Sequence, residues 1–202
     1  FVQRNNGELV GIWGNLSHRV LSFTYKNFGE IPAQGPLADV DEEILARAQA
    51  AFDLVGEHLK ARQFRAALTE AMDLARAGNQ YLEKKAPWKQ IKEDRTAAGT
   101  TLNVALQVIN ALKTLLAPFL PFASERLHLT LGYTSPIFGE QVIQEVGDGD
   151  DSHEVLQYET GDLGDVWGFD ELPAGRSLDK PKPLFTKLDT DIIEDELQRM
   201  EA

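Results

Sequence analysis

The chain has 202 residues, a formal net charge of −12, 43% hydrophobic and 26% charged residues, and no cysteine. That is the composition of a soluble globular protein, long enough for one ordinary domain plus an appendage. It excludes a disulfide scaffold, a thiol nucleophile and a thiolate zinc knuckle, and no apolar run approaches the roughly 20 residues needed to span a bilayer.

Four helices are predicted in chain order. The first runs from about Gly7 to Asn27, with Leu9, Ile12, Trp13, Leu16, Val20 and Phe23 recurring at three- and four-residue steps. Phe28-Gly29-Glu30-Ile31-Pro32 stops it, and a loop follows. Asp39 or Asp41 caps the second helix, whose buried stripe is Ile44, Leu45, Ala48, Phe52, Val55 and Leu59. The third spans about Gln63 to Lys85. Ala86-Pro87-Trp88 ends it, because the residue before a proline is pushed out of the helical region. The fourth begins near Asp94 or Thr96 and is the most apolar, through Leu102, Val104, Val108, Ile109, Leu112 and Leu115. Pro118 and Pro121 interrupt it near Ala117 before it resumes through Leu127 to Leu131. Short connections between long helices predict an all-α, antiparallel helical bundle over residues 1–132.

Residues 133–202 differ in character. Phe1–Gly132 carries 15 Lys+Arg against 14 Asp+Glu, whereas Tyr133–Ala202 carries 5 against 18. The acidity therefore belongs to an extension that is expected to be largely irregular and to pack on the bundle. Val166-Trp167-Gly168-Phe169, Pro183-Leu184-Phe185 and Ile192-Ile193 are its anchors, and Asp191–Ala202 is a short final helix. The opening Phe1-Val2-Gln3-Arg4 lacks an initiator methionine and a signal pattern, so the chain reads as a piece of a longer protein.

No catalytic constellation is visible. His18, His58, His128 and His153 are scattered without metal-ligand spacing, and Gly132-Tyr133-Thr134-Ser135 lacks the form of a phosphate loop. Asp148-Asp150-Asp151 lacks the spaced ligands of a calcium loop. Asn15-Leu16-Ser17 matches a glycosylation sequon, but inside a helix it reads as chance.

Two features suit RNA. Asn15 and Arg19 lie four apart on one helix face, either an ordinary surface pair or an amide and a guanidinium able to read a base edge. Trp88 follows Pro87 at a helix end among Lys84, Lys85, Lys89 and Lys92, and either seals a loop onto the core or stacks on a splayed-out base. Trp13 belongs to the apolar stripe of the first helix and is assigned to the core.

These segments carry a resemblance. Trp13-Gly14-Asn15-Leu16-Ser17-His18-Arg19 resembles the N-L-x-x-R segment, and Asn79 to Trp88 the N-x-Y-x(5)-P-W segment, of the methionyl-tRNA synthetase anticodon-binding domain. Leu115 to Glu125 and Pro181 to Asp189 resemble two further stretches of that class I synthetase family. The resemblance implies an RNA-binding role for Asn15, Arg19 and Trp88 in recognising the CAU anticodon of methionine tRNA. It implies support from Asn79, Tyr81, Pro87, Lys84, Lys85 and Lys89. Catalysis, with ATP and magnesium, would belong to the catalytic domain of a parent methionine–tRNA ligase, so this piece would hold no catalytic residue, metal or cofactor. The partners implied are methionine tRNA and that catalytic domain, in the cytoplasm, with neither DNA nor membrane. His18 departs from the smaller residue expected beside the motif. The alternatives are the anticodon domain of an isoleucyl-, valyl- or leucyl-type synthetase, or a helical protein-interaction module.

Overall fold

The computed structural model describes residues 2–159, 167–189, 191, 192 and 199. The final helix expected at Asp191–Ala202, and with it Val166 and Ile193, lies wholly or mostly outside them.

The chain opens with α1 (Val2–Arg4), passes through a wide-turn π segment (Asn5–Gly14) and continues as α2 (Asn15–Asn27). The first helix thus starts earlier than its periodicity suggests. Next come α3 (Asp39–Lys60) and α4 (Phe64–Lys85), then α5 (Pro87–Glu93), α6 (Arg95–Leu115) and α7 (Pro121–Thr130). Asp94 caps α6: its Oδ1 accepts from Thr96 N–H at 2.9 Å and Ala97 N–H at 3.0 Å. Pro121 opens α7 at a first-turn position, where a missing N–H costs nothing.

α6 is the axis of the molecule. Every residue from Ala98 to Lys113 is buried, and Leu102, Leu106, Ile109 and Leu112 are among the largest fully enclosed side chains. A helix apolar all round has to be surrounded, and α2, α3, α4, α5 and α7 all pack on it. Close approach is built in at Gly78 of α4, where a Cβ would lie 2.9 Å from Leu16 Cδ2.

Three buried amides break the apolar surface of α6 on one stripe, at steps of four and three residues. Asn103 Nδ2 donates to Pro32 O at 2.8 Å. Gln107 exchanges two bonds with Leu172, donating to its O and accepting from its N–H, each at 2.8 Å. Asn110 Nδ2 donates to Asp170 O at 2.7 Å. These amides satisfy backbone groups that irregular segments would otherwise bury unpaired.

The extension is tied to the helices at several points. Ile31 N–H donates to Arg176 O and Gly175 N–H to Ile31 O, each at 2.9 Å. Gly132 turns the chain at φ +83, and any side chain there would run into the Ser177 carbonyl. Trp167 Nε1 donates to Phe52 O at 3.2 Å, Leu184 is buried, and Asn6 exchanges two bonds with Leu188, at 2.8 and 2.9 Å. Among the described residues the extension also holds an antiparallel hairpin that the sequence analysis did not anticipate, of β1 (Glu140–Val146) and β2 (His153–Glu159). Its alternation was hidden because both faces are mostly solvent-exposed, so the polar and apolar residues do not sort by side.

Candidate nucleic-acid interface

Ala86 ends α4 in the left-handed conformation, at φ 45 and ψ 62, and Pro87 immediately starts α5. A non-glycine residue there is strained. The result corrects the expectation of a bare turn: Trp88 sits in the first turn of a second short helix, α5, which packs on α6. Its indole is half-buried and packs on the core.

The last turn of α4 is fixed by a buried triad. The Asp41 carboxylate, 1% exposed, accepts from Ala38 N–H, Tyr81 O–H and the Lys85 ammonium at 2.9, 2.8 and 2.9 Å. Burial alone would push the Asp41 pKa up, but the Ala38 N–H, the Lys85 ammonium and the Tyr81 hydroxyl hold it below the usual carboxylate range. Burial, then the neighbouring carboxylate, raises the Tyr81 phenol well above its ordinary value. Asn79, one turn earlier, donates from Nδ2 to Ile12 O and Ala75 O, each at 3.1 Å, and so locks α4 to the π segment.

On this frame the Arg19 guanidinium lies over the Trp88 ring, 4.9 Å from its centroid, a cation–π distance. Residues 69 apart in sequence thereby form one wall of a cleft of about 360 Å³, lined also by His18, Ser22, Phe23, Lys26, Leu82 and Pro87. Asn15 is exposed one turn before Arg19 on the same helix. Lys84 and Lys89 are exposed on either side of Pro87-Trp88.

The structure thus brings Arg19 and Trp88 together and places Asn15 beside them. Tyr81, Asn79 and Lys85 lie inside the frame rather than on the cleft surface. Phe23, expected in the apolar stripe, lines the cleft, and so do Ser22 and Lys26, which the sequence did not single out. The signal was present, since 15, 19, 22 and 26 recur at helical spacing on the Asn15–Arg19 face. Among the described residues no group of three His, Asp or Glu side chains is placed to hold a metal ion. No described helix is long and apolar enough to cross a membrane.

The family described as the anticodon binding domain of methionyl tRNA ligase matches residues 31–160. The chain belongs to that family. Over its full length it is 49% identical to the methionine–tRNA ligase of Thermomicrobium roseum and 48% identical to that of Chloroflexus aggregans. It spans 35% and 34% of those relatives. The crystal structure of the apo form of Mycobacterium tuberculosis methionyl-tRNA synthetase superimposes with a TM-score of 0.73 at 25% identity, covering 93% of this chain and 34% of that one. The isoleucyl-, valyl- or leucyl-type alternative and the protein-interaction module are not favoured.

Proposed function

We propose that this domain reads the CAU anticodon of methionine tRNA, and that it does so on the Arg19–Trp88 wall. The observation that carries the reading is the guanidinium 4.9 Å above the indole at the mouth of the cleft, with Asn15 exposed one turn away. A splayed base stacks on the indole, an interaction worth about 1–3 kcal/mol. The Arg19 fork donates to base acceptors, and the Asn15 amide supplies both a donor and an acceptor, which together suit the edge of cytosine. Lys84, Lys89, Lys92 and Lys26, all exposed, neutralise loop phosphates. Pro87 with the left-handed Ala86 aims Trp88, while Tyr81, Asn79 and Lys85 act as positioning residues that hold the end of α4.

The remainder of the parent protein would attach methionine to the bound tRNA, using ATP and magnesium in its catalytic domain. The 202 residues of this chain contribute binding and selection, not bond making, and the setting proposed is the cytoplasm. The test is the salt dependence of binding to a CAU stem-loop. Affinity falls linearly on a log–log plot as salt rises if phosphates are contacted. Salt-independent binding would contradict an RNA interface at this cleft.

A further inference from the structure

One face of the β1–β2 hairpin carries an exposed apolar pair in an acidic frame. Ile143 and Leu156 are directly opposite in the register and are 69% and 66% exposed. Tyr158, on the same face, is 52% exposed and pairs with Gln141. The next pair on that face is Glu145 opposite Glu154, two like charges whose cross-strand placement is destabilising. Residues 139–159 hold seven acidic residues and no lysine or arginine. Among the described residues neither strand has a second neighbour. At the foot of the hairpin, Tyr158 joins Phe138, Trp167 and Phe169 in lining a cavity of about 600 Å³.

We infer that this face docks a cationic, amphipathic peptide segment of a partner protein, with its apolar residues on the Ile143–Leu156 pair and its lysines or arginines opposite Glu145 and Glu154. An extended segment laid across this face turns alternate side chains toward it, so that apolar and cationic residues two apart meet the apolar pair and the glutamate pair. Its cations relieve the Glu145–Glu154 repulsion, and the aromatic cavity leaves room for an apolar anchor. Charge selects this occupant over the other two. RNA would meet seven acidic residues and no lysine or arginine here, and a second copy would bring the same seven acidic residues to the interface. The site is separate from the Arg19–Trp88 cleft and does not depend on it.

The experiment measures fluorescence anisotropy of two labelled peptides with the complete 202-residue chain. One repeats isoleucine-serine-lysine-serine, which puts isoleucine and lysine on one face of an extended chain, and the other replaces each isoleucine with serine. The lysine–isoleucine peptide should bind at least about tenfold tighter than the serine peptide. Ile143→Ser, and separately Glu145→Gln with Glu154→Gln, should each weaken it by about tenfold. Leu54→Ser, at an exposed apolar site on α3, should leave it unchanged. The glutamine pair removes the repulsion and so keeps the hairpin folded, which separates lost recognition from lost structure. Equal binding of the two peptides, or wild-type affinity in the glutamine pair, overturns the proposal. So does sedimentation showing a dimer that Ile143→Ser abolishes, which would assign the face to a second copy.

Discussion

The Lys85 ammonium lies 2.9 Å from the Asp41 carboxylate and joins the last turn of α4 to the first turn of α3. Lys85 keeps 17% of its side-chain surface and Asp41 1%, so this ion pair is largely removed from water. Such a pair does little for stability against an apolar replacement of both partners, but losing one partner strands the other charge.

Lys85→Met should therefore lower stability by about 3 kcal/mol, the cost of a stranded buried charge. Thermal unfolding by circular dichroism reads the loss. Asp41→Asn with Lys85→Met together should recover part of it. Stem-loop affinity should fall in the single variant, because the end of α4 that leads into Trp88 loses its clamp.

Trp88→Ala should weaken binding of a CAU stem-loop by about tenfold or more, the value of one base stacked on an aromatic ring. The indole is half-buried against the core, so the same change should cost about 2 kcal/mol of stability and leave the domain folded. Trp88→Phe keeps an aromatic face and should retain most of both. Equal losses of affinity in the alanine and phenylalanine variants would point to packing rather than stacking.

Gln107→Leu removes the amide that holds both backbone groups of Leu172. A buried N–H and C=O left unpaired should cost about 2 kcal/mol or more. Hydrogen exchange at Leu172 should accelerate well before exchange in α6 does. That difference would locate the damage in the attachment of the extension.

The pH dependence follows from His128. Lys113 Nζ lies 3.1 Å from its Nδ1, and since an ammonium can only donate, the ring is neutral with its proton on Nε2. Burial, then the Lys113 charge, pushes the His128 pKa down to about 4. The unfolded chain binds this proton more readily, so stability falls as pH drops from about 6.5 to about 4, by about 3 kcal/mol in all. His128→Gln keeps an acceptor for Lys113 and should flatten that stretch of the curve, read by urea unfolding across the range. Lys113, pushed down by burial to about 8, adds a rise in stability between pH 8 and its ordinary value of 10.5.

Much of this was legible in the sequence because the helices obey strong rules. The apolar periods, the Asp94 cap and the two prolines after Leu116 each act locally, and α3, α4, α6 and α7 formed where those signals placed them. α5 was not legible, since it depends on Ala86 adopting a conformation that alanine disfavours and that only the surrounding packing enforces. The Asn103, Gln107 and Asn110 stripe looked like ordinary polar interruptions because its partners lie 60 to 71 residues away. The pairing of Arg19 with Trp88 is long-range in the same sense. Helical spacing set Asn15 beside Arg19, but only the fold carried the indole to them.

The most direct test of the central claim is the affinity of this domain for two anticodon stem-loops that differ only in CAU against GAU, with Arg19→Gln measured beside the wild type. The wild type should prefer CAU by about tenfold or more, and Arg19→Gln should lose most of that preference. Equal affinity of the wild type for both loops, or a preference that survives in Arg19→Gln, would contradict base reading on the Arg19–Trp88 wall.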